Sequence, residues 1–94
     1  MKIKAVTKTP GRDKQSVTKV EFENSKGQAF EYEVYFNATT QEGSLLRNGI
    51  DYAGLWFKNN RLVDYDMVFA LSKAAIITIR KAGLIVPRSF EYSA

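Results

Sequence analysis

Asp64 and Asp66 stand two residues apart, so a strand through them would hold both carboxylates on one face, with Asp51 joining from the preceding loop. Carboxylate oxygens suit a hard cation such as Mg²⁺, and two neighbouring Asp residues can split their pKa values for acid–base work. Neither pattern is specific, and no nucleophile or phosphate-binding glycine loop accompanies it. The chain contains no cysteine and no histidine. Disulfides, thiolate nucleophiles, imidazole catalysis and Cys or His metal centres are therefore excluded. Gly43-Ser44 lacks the strand context of a nucleophile elbow. The expectation is a protein that is not an enzyme and uses neither cofactor nor metal. The two Asp residues read as a solvated turn, or as a cap supplied by Asp66 ahead of residues 67–71.

A second group suits binding rather than chemistry. Trp56, Lys58, Arg61 and Tyr65 share one face if residues 52–66 form a hairpin turning at Asn59-Asn60. Trp, Tyr and Arg dominate protein interface hot spots, which makes this the expected partner-binding site. The same mixture stacks bases and contacts phosphates, so Trp56, Lys58 and Arg61 also serve a nucleic-acid alternative. Lys2, Lys4, Lys8, Arg12 and Lys14 would extend that alternative along a phosphate backbone. Plainer readings lead in both cases. Trp56 is then a core residue with cations capping a hairpin end, and the amino-terminal lysines are a solvated strand that resists edge pairing.

Net charge is +4, but its sign alternates along the chain. Residues 1–20 hold six basic groups, Lys19 included, against Asp13, whereas residues 21–42 set Lys26 against five glutamates. Such alternation favours electrostatics within the domain as readily as attraction to an outside polyanion.

The elements that would position these residues follow from periodicity. Residues 17–23 and 28–36 alternate, with Thr18, Val20, Phe22, Phe30, Tyr32 and Val34 on one side and Lys19, Glu21, Glu23, Glu31 and Glu33 on the other. Burying the first set requires a register that pairs Phe22 with Phe30, Val20 with Tyr32 and Glu21 with Glu31. The glutamates then form an acidic wet face, read as solvated or paired within the chain, and otherwise open to a basic partner. Residues 2–8 read as another strand, ended by Pro10-Gly11 and a mobile polar loop.

Residues 43–49 suggest a short helical turn between two glycines. In the hairpin over 52–66, Phe57 faces Leu62 and Trp56 faces Val63. A helix is expected over 73–82, with Ser72 as N-cap and Gly83 past its end. Ala75, Ile76, Ile79 and Ala82 form its apolar stripe, and Lys73, Thr78 and Lys81 lie away from it. The β-branched residues make a strand over 76–80 the competitor. Residues 84–86 read as a last edge strand before Pro87, with Phe90 and Tyr92 pinning the tail.

Together these give one α+β domain over residues 1–94: a single antiparallel sheet of about four to five strands, built on two hairpins, packed against one C-terminal helix. No run approaches the roughly 20 apolar residues of a membrane span, and no signal-like segment opens the chain, so a cytoplasmic protein without membrane association is expected. Its expected role is that of a small binding or inhibitory accessory protein acting on a protein partner, with an RNA- or DNA-binding module as the alternative. A sheet edge would offer a route to homo-oligomers.

Overall fold

The computed structural model describes residues 1–12, 14–66 and 70–91. Its strands are β1 (Lys2–Pro10), β2 (Gln15–Glu23), β3 (Ala29–Asn37), β4 (Glu42–Arg47), β5 (Ile50–Lys58) and β6 (Arg61–Asp66). They form one six-stranded antiparallel sheet in which every strand lies beside its neighbours in sequence. Helix α1 (Lys73–Lys81) and a short 3₁₀ turn at Arg88–Phe90 follow.

Local chemistry sets the hairpins. Between β2 and β3 the Asn24 side-chain oxygen accepts from the Lys26 and Gln28 amides, both at 2.9 Å, and Gly27 takes φ +78°. The β2–β3 register is the expected one, with Phe22 opposite Phe30 and Glu21 opposite Glu31. Asn59 and Asn60 both adopt positive φ, which fits the expected two-residue turn between β5 and β6.

Residues 43–49 are not a helical turn. Most of them lie in β4, which turns into β5 through Asn48-Gly49, with φ +50° and +79°. Asn-Gly is a strong two-residue hairpin signal, because its left-handed backbone matches the twist of the flanking strands. The glycine at 43 bounds no element; it lets chains approach. A Cβ there would lie 2.6 Å from the Tyr35 carbonyl oxygen and 3.3 Å from the Phe57 ring. The expected polar loop also shortens, since β1 reaches Pro10 and β2 starts at Gln15.

The core lies on one side of the sheet. Val20 and Phe22 of β2, Tyr32, Val34 and Phe36 of β3, Leu45 of β4, Leu55 and Phe57 of β5 and Leu62 of β6 are buried there. Helix α1 covers this face, burying Ala74, Ala75, Ile76, Thr78 and Ile79. The Ser72 hydroxyl caps it, accepting from the Ala75 amide at 3.1 Å and sharing a 3.1 Å hydrogen bond with Tyr32 Oη. Residues 76–80 are thus helical, because capping and a sheet to pack on outweigh the β-branching of the isoleucines. Thr78 departs from expectation. It is fully buried, and its hydroxyl donates back to the Ala74 carbonyl at 2.9 Å, so its polarity is absorbed by the helix itself.

After the helix the chain returns to the sheet. Residues 84–86 do not form the expected edge strand: Ile85 alone bridges Arg61 in parallel beside β6, its carbonyl accepting from Leu62 N at 2.9 Å. Phe90 meets Tyr65 edge to face at 5.6 Å. The expected pinning of the tail by Tyr92, and residues 67–69 of the segment that Asp66 is expected to cap, lie outside the described residues.

Candidate functional site: the open face of the sheet

The strand ladders fix which side chains point away from α1. Glu21 pairs with Glu31, Glu33 with Leu46, Tyr35 with Ser44, and Asn37 with Glu42. Across the second half Leu46 pairs with Asp51, Ser44 with Gly54, Glu42 with Trp56, Gly54 with Asp66 and Trp56 with Asp64. These residues alternate with the buried set, so they occupy the opposite face. Every acidic residue carried by a strand stands there: Glu21, Glu23, Glu31, Glu33, Glu42, Asp51, Asp64 and Asp66.

Trp56 belongs to this face and is 40 % exposed, so it is not the core residue of the leading expectation. Alternation explains the placement, because Leu55 and Phe57 on either side fill the core. Lys58 and Arg61 are exposed and pair across the hairpin end on the same face.

Tyr65 departs from the expected group. The ladder shifts between Trp56 and Phe57, so that Phe57 faces Leu62 as expected but Trp56 faces Asp64, leaving Val63 as the extra residue of a bulge. That single insertion reverses the parity beyond it. Tyr65 now lies opposite Leu55, half-buried against the core and Phe90. Asp64 takes the place beside Trp56 that a symmetric hairpin would assign to Val63. The partner-binding group therefore retains Trp56, Lys58 and Arg61, loses Tyr65 and gains acids.

The basic residues of the nucleic-acid alternative are not brought together. Lys2, Lys4 and Lys8 lie on β1 at the far edge, four strands from β5, which at ~4.8 Å per strand is roughly 19 Å away. Lys4 is engaged with Glu23 at 3.5 Å. Lys8 faces Thr18 on the helix side, and Arg12 and Lys14 sit in the β1–β2 turn. The acidic residues of β2, β3 and β4 stand between these cations and Trp56.

Lys19 is held within that acidic field. Its ammonium lies 3.2 Å from Glu31, diagonal to its ladder partner Glu33. The hydrogen bond and charge of Glu31 raise its pKa above the usual lysine value, with lesser help from Glu21 and Glu33.

Asp64 and Asp66 share the outer face of β6, as their spacing predicts, and Asp51 lies on neighbouring β5. The Asp64 carboxylate accepts from the Tyr65 amide at 2.9 Å. Among the described residues no three acidic groups converge in a way that would hold a metal ion. Asp51 and Asp66 instead line a shallow depression with Ser44 and Gly54. Further depressions adjoin it, over Tyr35, Leu46 and Gln15 and over Asn37, Thr40 and Glu42. Sequence reasoning missed this trough. Its signal was Gly43-Ser44 and Gly54, small residues that only a strand assignment for β4 brings side by side.

Compared with known protein families, characterised proteins and solved structures, the chain matches none.

Proposed function

We propose that this is a small intracellular accessory protein that binds, and by occupancy inhibits, a protein partner through the open face of its sheet. The partner's contacting surface is basic. One observation carries the reading: strand-borne acids and an exposed tryptophan are gathered on the one sheet face that the helix leaves uncovered. Like charges set directly opposite one another, as at Glu21 and Glu31, work against folding by a few tenths of a kcal/mol. A cationic surface would turn that repulsion into attraction and hasten encounter. Trp56 supplies the large, rigid contact around which interface energy concentrates.

The nucleic-acid alternative relies on Trp56, Lys58 and Arg61 together with the lysines of β1. It is the weaker reading, because phosphates running between those groups would cross the acids of β2, β3 and β4.

Capture from the native cell tests the proposal, using the wild-type chain, the charge reversal Glu21→Lys/Glu42→Lys, and Lys81→Glu on the helix as a control. The sheet-face reversal should abolish capture of the partner and the control should retain it. Capture indifferent to the sheet-face reversal, or a retarded nucleic-acid complex that dissolves as salt rises, would overturn it.

A further inference from the structure

We propose that the depression between β4, β5 and β6 receives the guanidinium of an arginine from the partner protein. This rests on the open-face reading above and names the contact at its centre. The depression measures about 320 Å³ and has Asp51 and Asp66 on its walls. It is a shallow depression open to solvent rather than an enclosed cavity, so a side chain from outside can lie in it.

Its floor is small by sequence, with Ser44 paired to Gly54 and Gly54 paired to Asp66. The missing side chain at Gly54 has a second effect. The Trp56 ring leans back over it, with Cη2 only 3.3 Å from where a Cβ would stand, and Asp66 Cβ is 3.7 Å from the same point. Indole and carboxylate thus border one small-residue surface. Among the described residues, no lysine or arginine pairs with Asp51 or Asp66. Trp56 stands beside the depression rather than in its lining, and Asp66 is the carboxylate that shares Gly54 with its ring, while Asp51 lines the depression itself.

Arginine fits this combination better than lysine. Its planar fork binds a carboxylate through two parallel N–H donors, stacks on an indole and is weakly hydrated, whereas an ammonium remains a strongly hydrated point charge. A hard metal ion fits less well, since it wants more oxygens than two walls supply.

Titrating the ¹⁵N-labelled full chain at low salt with capped hexa-arginine, and separately with hexa-lysine, tests the assignment. Hexa-arginine should give saturable shifts at the Gly54 amide and the Trp56 indole N–H, and bind about fivefold tighter than hexa-lysine. Trp56→Leu and Asp66→Asn should each weaken it by about fivefold, while Glu23→Gln changes it less than twofold. Equal affinity for the two peptides, or shifts confined to β2 and β3, would overturn the assignment. If that happened while Glu21→Lys/Glu42→Lys still abolished capture of the native partner, only the arginine contact would fall. If the reversal also left capture unchanged, the open-face reading would fall with it.

Discussion

Trp56 and Phe22 sit on opposite faces of one sheet, the first 40 % exposed and the second fully buried. Truncation should separate them. Phe22→Ala removes a ring stacked on Phe30 at 5.2 Å and leaves a cavity, so urea unfolding should show a loss of about 3–5 kcal/mol. Trp56→Ala should lose about 1 kcal/mol or less, because its ring was never sealed from water. Comparable losses at the two sites would mean that the faces are misassigned. Gly43 makes the opposite kind of test. A methyl group would press on the Tyr35 carbonyl and on Phe57, whose ring meets Phe36 at 5.0 Å, so Gly43→Ala should destabilise by about 1–3 kcal/mol in the same assay. Trp56 itself was placed correctly relative to Lys58 by simple alternation. The preference for burying it came from residue type, which the strand's parity overrode.

At the level of elements, turns decide what alternation leaves open. Gly49 holds φ +79° at the β4–β5 turn, where a side chain is strained, so Gly49→Ala should lower stability by about 1 kcal/mol while leaving the fold intact by circular dichroism. The β2–β3 pairing was legible because its two-residue periodicity is strong and a slip by one would bury glutamates. β4 was not, because Gly43 and Gly49 resemble element boundaries and only Leu45 and Leu46 carry apolar signal. Asn48-Gly49 held the missing information. The bulge at Val63 had no such mark: no glycine or proline accompanies it, and its consequence for Tyr65 emerges only from the ladder.

The C-terminal tail is a further element with its own pH response. Arg80 Nη2 donates to the Val86 carbonyl at 2.9 Å and to Glu91 at 2.6 Å, tying the tail to the end of α1. That hydrogen bond, together with the arginine's charge, lowers the Glu91 pKa. A carboxylate with a lowered folded pKa adds stability above its ordinary pKa, and loses it as pH falls through the folded value. Amide exchange at Phe90 and Glu91 should therefore quicken as pH falls through that acidic window, after correction for intrinsic exchange rates. Glu91→Gln should abolish the step. Because the pair is solvent-exposed, global stability should barely follow.

For the molecule as a whole, the net charge of +4 conceals two unlike sides. The uncovered sheet face sets the strand-borne acids Glu21, Glu23, Glu31, Glu33, Glu42, Asp51, Asp64 and Asp66 against fewer cations, Lys2, Lys19, Lys58 and Arg61, while Lys73, Arg80, Lys81 and Arg88 lie on the helix and the tail. Among the described residues no helix is long and apolar enough to cross a membrane. A chain so divided would meet a cationic protein sheet-first, steered over a Debye length of about 8 Å at physiological salt. Site-specific photo-crosslinking in the native cell asks directly which side does the meeting. With the crosslinker at position 42, beside Trp56, the proposal predicts a covalent adduct with a protein through a basic segment, and none with the crosslinker at position 81. Adducts from position 81 alone, or adducts with nucleic acid from either position, would contradict it.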